Sequence, residues 1–110
     1  MVVEIQTQDD YNSKVKENSD LVIIDFWAPW CGPCKSYKPI FTKVAEDGIE
    51  GVSFATLDID LEDLEDVVDE FGISGVPYTA AIKNGEIVAE HSGVMMKGDL
   101  VKFIEDAKEE

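Results

Sequence analysis

The chain has 110 residues and is strongly acidic, with 24 Asp and Glu against 9 Lys and Arg, for a formal charge of -15. That balance argues against nucleic acid as the main partner, because phosphate binding needs a basic footprint, and against docking on anionic membranes. The length suits one domain spanning 1–110, and a hydrophobic fraction of 45% supplies a core without metal clusters or a disulfide framework.

The first ten residues, MVVEIQTQDD, lack a basic stretch followed by a long apolar one, so they do not read as a signal peptide. A processed transit peptide leaves no trace in a sequence; the expected location is the cytoplasm. Val2 to Ile5 predicts a strand. Thr7 and Asp10 have the spacing of a capping box and open a helix with Tyr11 and Val15 inward. Asn18-Ser19-Asp20 ends it. Leu21 to Trp27 is a nearly continuous apolar run, which predicts a central strand buried on both faces. Ala28-Pro29-Trp30 leads out of it. Pro33 suits the first turn of a helix, whose inner face carries Ile40, Phe41, Val44 and Ala45. Pro39 inside that helix predicts a kink.

Val52 to Ile59 predicts a second inner strand. Leu64, Val67, Val68 and Phe71 recur at helical spacing within an acidic segment, the mark of an amphipathic helix with a solvated carboxylate face. Val76-Pro77 opens a strand that runs to about Ile82. Asn84-Gly85 is a two-residue hairpin signal, with Glu86 to Glu90 returning. Leu100, Phe103, Ile104 and Ala107 mark a final helix. The order βαβαβαββα predicts a three-layer α/β/α domain with a central mixed sheet. Helices between strands predict parallel crossovers, and the hairpin adds an antiparallel edge. No apolar stretch approaches the roughly 18 residues of a membrane helix.

Chemistry concentrates in Trp30-Cys31-Gly32-Pro33-Cys34. Cysteines three residues apart on a helix are separated by roughly 4.5 Å of axial rise, and disulfides form at Cα separations of about 4.4–6.8 Å. The spacing therefore allows a reversible Cys31–Cys34 bond. Orphan N–H groups and the positive dipole end at a helix N-terminus favour a thiolate, the attacking species in disulfide exchange. Cys31, nearer the end, is expected to be the exposed nucleophile, and Cys34, deeper, the resolving thiol. Gly32 and Pro33 keep the tip small and preset its turn. The competing readings are half a zinc site and an ordinary pair of core residues. A structural zinc site needs four ligands, and this chain adds only His91, far off in the hairpin, so no metal is expected.

Asp25 is out of place in a strand buried on both faces. Burial of an unpaired carboxylate costs several kcal/mol and raises its pKa. Its expected role is to take the proton of Cys34, against the alternative of a structural Asp that caps a turn or faces solvent. The Val76-Pro77 bond is either cis or an edge proline in trans. Trp27 is assigned to the core and Trp30 to the surface. Met95 and Met96 are either a soft contact surface or loop filler, and His91 is an exposed strand residue. The acidity reads first as solubility, and second as steering toward basic partners or a high-salt habitat, which composition does not separate.

On Asp25-Phe26-Trp27-Ala28-Pro29-Trp30-Cys31-Gly32-Pro33-Cys34-Lys35, Pro39, Gly75-Val76-Pro77, Lys83-Asn84-Gly85 and Gly93, the chain resembles the thioredoxin family over nearly its whole length. The resemblance implies a protein-disulfide reductase whose only redox group is its Cys31–Cys34 disulfide, with no bound cofactor. It implies that Cys31 attacks, Cys34 resolves and Asp25 assists the proton transfer. It also implies that Pro77 is cis and faces the cysteines. Trp30, Val76, Pro77, Gly93 and Val94 then line the surface where disulfide-containing proteins dock. The implied electron donor is a thioredoxin reductase; a monomer is the expected state.

Three positions depart from the family's usual pattern, and the Leu61–Glu70 segment is more acidic and slightly longer than is typical. Thr56 stands where a lysine is frequent beside the buried Asp, which predicts that Asp25 titrates higher. Tyr78 follows the proline in place of threonine, altering a wall of the site. Met96 replaces a serine at the start of the last helix. Two other functions fit the fold: an oxidase or isomerase, whose members usually carry a histidine between the cysteines, and a non-catalytic binding module. Intact Cys31 and Cys34 argue against the second.

Overall fold

The computed structural model describes residues 2–110. Its elements follow the expected order. Strand β1 (Val2–Ile5) leads to α1 (Gln8–Tyr11), which continues as a π-helical turn over Asn12–Lys16. Then come β2 (Leu21–Trp27), α2 (Gly32–Asp47), β3 (Val52–Asp58), a 3-10 turn at Glu62–Leu64 running into α3 (Glu65–Phe71), β4 (Tyr78–Lys83), β5 (Glu86–Ser92) and α4 (Lys97–Lys108). The five strands form one mixed sheet in the order β1-β3-β2-β4-β5, with β2 in the middle.

The central strand is buried on both faces because its side chains alternate between two cores. Val22, Ile24 and Phe26 pack with Tyr11, Val15, Leu64, Val67 and Phe71, from α1, its π-helical extension, the 3-10 turn and α3. Leu21 and Ile23 pack with Tyr37, Phe41, Val44, Leu100 and Ile104 of α2 and α4. The same alternation assigns Asp25 to the α2 side of the sheet. Pro39 lies inside α2 without ending it.

One crossover departs from the parallel pattern expected between helix-linked strands. β1, β3 and β2 are mutually parallel, but β4 runs antiparallel to β2, with Phe26 opposite Tyr78 and Val22 opposite Ile82. β4 therefore begins at the end of the sheet that carries the cysteines, where the Val76 carbonyl, two residues before the strand, lies 3.6 Å from the Cys31 sulfur.

Local signals in the sequence hold in detail. The Thr7 hydroxyl accepts from the Asp10 N–H at 3.0 Å. The reciprocal bond goes from the Gln6 N–H to the Asp10 carboxylate, one residue earlier than in the standard box. Asn84 (φ 53) and Gly85 (φ 80) both take the left-handed conformation that a two-residue type I′ hairpin turn needs. Met95 is buried in the α2/α4 core, while Met96 is 65% exposed. At Met96 no side chain caps α4. A Met96→Ser substitution is expected to raise the unfolding free energy by about 1 kcal/mol, read from urea denaturation; an unchanged midpoint would count against the missing cap.

Candidate active site

The site is assembled where β2 ends, α2 begins and β4 starts. Cys31 is the N-cap of α2 in an extended conformation, and its sulfur accepts from the Cys34 N–H at 3.1 Å. Gly32 and Pro33 form the first turn. Cys31 and Cys34 are joined as a disulfide with their Cα atoms 5.4 Å apart, inside the range that the spacing allowed. The sulfur of Cys31 also lies 3.6 Å from the Val76 carbonyl oxygen, a partner open to the thiol after reduction.

The expected contrast in exposure between the two cysteines is absent: Cys31 is 3% and Cys34 4% exposed. Trp27, Ala28, Ile59 and Val76 pack around both, so the helix end is walled in by neighbouring segments. What separates the cysteines is their surroundings. Cys34 lines a crevice of about 110 Å³ together with Asp25, Trp27, Ala28, Pro29, Lys35, Lys38 and Thr56, and Cys31 lies outside it.

Asp25 is 2% exposed, and its Oδ1 has no hydrogen-bond partner among the described residues. It neither caps a turn nor faces solvent. Its neighbours in the sheet are Thr56 on β3 and Thr79 on β4. The Thr79 hydroxyl is bonded to the Tyr37 hydroxyl at 2.8 Å. Burial pushes the Asp25 carboxyl up to about 7, against the lowering effect of the Lys38 charge. Burial also raises the Tyr37 phenol, which keeps it neutral.

Thr56 supplies no charge, as its place in the sequence implied, yet a cation is present: Lys38 reaches the same crevice from α2. A Thr56→Lys substitution adds a second cation and is expected to move the Asp25 titration to lower pH, measured by NMR. An unmoved curve would show that position 56 does not sense the carboxylate.

Trp30 is 67% exposed, and its indole N–H donates to the Asp60 carboxylate at 2.9 Å. Asp60 was not singled out in the sequence; its only signal is its place just beyond β3. Trp27 is half-buried at the crevice, not sealed in the core. The Val76–Pro77 bond is cis. Gly93 donates its N–H to the Pro77 carbonyl at 2.8 Å, and its φ of 99° is open to glycine and strained for other residues. Val94 follows as an exposed apolar side chain. Tyr78 does not form a wall of the site: its ring packs edge-on against Phe26 and its hydroxyl donates to Glu90. His91 is exposed on β5.

Against known proteins, the thioredoxin family model matches residues 2–106. The chain belongs to the thioredoxin family. It is 35% identical over 95 residues to a thioredoxin of Haemophilus influenzae, covering 86% of this chain and 87% of that one. It is 37% identical over 94 residues to a thioredoxin of Coprinus comatus, covering 84% and 86%. Among solved structures, the thioredoxin of Malassezia sympodialis superposes with a TM-score of 0.82 at 29% identity, covering 96% of this chain and 93% of its own. With its cysteine pair in place, the protein is a dithiol–disulfide oxidoreductase that reduces protein disulfides. Its redox group is the intrinsic Cys31–Cys34 disulfide.

Proposed function

We propose that Cys31 is the nucleophile, Cys34 the resolving thiol and Asp25 the base for Cys34. The observation that carries this division is the crevice, which brings Asp25 to Cys34 and leaves Cys31 outside. In the reduced protein, the Cys31 thiolate attacks one sulfur of a substrate disulfide. A Cys31–substrate disulfide forms and the other substrate sulfur leaves as a thiolate, which takes up a proton. Cys34 then gives its proton to the Asp25 carboxylate. The Cys34 thiolate attacks the Cys31 sulfur, the Cys31–substrate bond breaks, and the second substrate sulfur leaves reduced. Two electrons pass to the substrate and the Cys31–Cys34 bond closes. Each attack needs a thiolate. The N–H of Cys34 directed at Cys31 favours one at the first step, and Asp25 makes one at the second.

Gly32, Pro33 and Pro77 set the shape around the pair. Trp30, Val76, Pro77, Gly93 and Val94 form the docking surface for disulfide-containing proteins; the exposure of Trp30 and Val94 and the Gly93–Pro77 bond support this reading. A thioredoxin reductase returns the electrons. The protein acts as a monomer in the cytoplasm, where a reducing environment suits net disulfide reduction. Among the described residues, no helix is long and apolar enough to cross a membrane.

Insulin turbidity in the presence of dithiothreitol tests the reading. The protein is expected to shorten the lag before precipitation, and no acceleration over dithiothreitol alone overturns it.

A further inference from the structure

The crevice holds two lysines, Lys35 and Lys38, that the chemistry of the cysteines and Asp25 does not use. Lys38 follows Cys34 by four residues on α2, so both side chains project from one face of the helix, and both line the crevice with Asp25. Its ammonium nitrogen stands 5.5 Å from the centroid of the Trp27 ring, within the range of a cation held by an aromatic face. The lysine is exposed, yet it lines the crevice and keeps this contact with Trp27.

The other groups around Asp25 are accounted for on each packed element. Thr56 of β3 is neutral, and Thr79 of β4 is engaged with Tyr37 of α2, itself neutral. Lys35 of α2 lines the same crevice. Asp58 of β3 and Glu4 of β1 lie in an adjoining hollow that shares Trp27 and Thr56 with it. The cation opposing the burial of Asp25 is Lys38.

We propose that Lys38 is a positioning residue of the resolving step: braced on Trp27, it favours the ionised carboxylate of Asp25 and so readies it to accept the Cys34 proton. The charge comes from the helix that carries the cysteines, because β3 offers Thr56 in its place. This role rests on the reading of Asp25 as the base, but the first measurement reads Asp25 whether or not that reading holds.

The test is a carboxyl-carbon NMR titration of Asp25 in reduced protein, alongside the pH profile for resolution of a Cys31 mixed disulfide. Lys38→Met is expected to move the Asp25 titration to higher pH and to carry the low-pH limb of the rate profile the same way. Lys38→Arg keeps both in place. Adding Thr56→Lys to Lys38→Met brings both back toward lower pH, which a merely structural role for Lys38 would not do. Lys35→Met removes the same charge from the chain and is expected to move Asp25 less. An unmoved Asp25 in Lys38→Met overturns the proposal, as does an equal shift in Lys35→Met. A shifted Asp25 with an unshifted rate profile overturns the role of Asp25 as base, and that of Lys38 with it.

Discussion

A Cys34→Ser variant is expected to accumulate as a mixed disulfide with its substrate, and a Cys31→Ser variant to reduce insulin no faster than dithiothreitol alone. The two outcomes differ because the proposed roles fall at different steps. If Cys31 forms the bond to substrate, no covalent intermediate appears without its sulfur. Serine in its place is almost wholly protonated at neutral pH and does not attack a disulfide sulfur. Without Cys34, the first exchange proceeds and the second has no nucleophile. Mass spectrometry of the protein after incubation with a disulfide peptide checks both. A stable adduct on Cys31→Ser, with none on Cys34→Ser, would reverse the assignment. The near-equal burial of the two cysteines makes this worth measuring, since exposure alone does not separate them.

The second large effect belongs to Asp25, and it is a stability effect that depends on pH. The folded-state pKa is raised to about 7 from an ordinary value of 3.8, chiefly by burial. Between those values the folded chain binds more protons at this site than the unfolded chain, so stability falls as pH rises through that window. The site is least destabilising below pH 4, and its full cost, on the order of 4 kcal/mol, is present above pH 7. Asp25→Asn removes the titration while keeping the shape. It is therefore expected to be more stable than wild type by that order at pH 8, with little difference at pH 4. Urea unfolding at the two values checks it, and equal differences at both would mean that Asp25 does not carry the charge cost.

The same substitution is expected to slow the resolving step at and above neutral pH, where the wild-type carboxylate is available as a base. The two proteins converge in acid, where Asp25 is protonated. A gain in stability paired with a loss of rate marks a residue retained for chemistry in spite of its cost.

The thermodynamic cost of Asp25 was visible in the chain itself. An aspartate inside Leu21–Trp27 conflicts with the burial that its apolar neighbours demand, and that conflict is local. The cysteine spacing, the helix-starting proline and the Asn84–Gly85 turn are also local: each depends on backbone geometry within a few residues. Strand and helix order followed from periodicity, which needs no tertiary knowledge.

Tertiary structure decided what depends on residues distant in sequence. The antiparallel direction of β4 beside β2 is a matter of strand pairing between distant segments, which hydrophobic pattern does not encode. The burial of Cys31 came from Trp27, Ala28, Ile59 and Val76 closing around the helix end. Asp60 reaches Trp30 across 30 residues, and Tyr78 turned away from the site to pack on Phe26. Lys38 had no signal at all in the sequence, where it is one more exposed lysine of a helix. It became a partner of Asp25 because β2, β3 and α2 converge on one crevice, and charge acts through space, not along the chain.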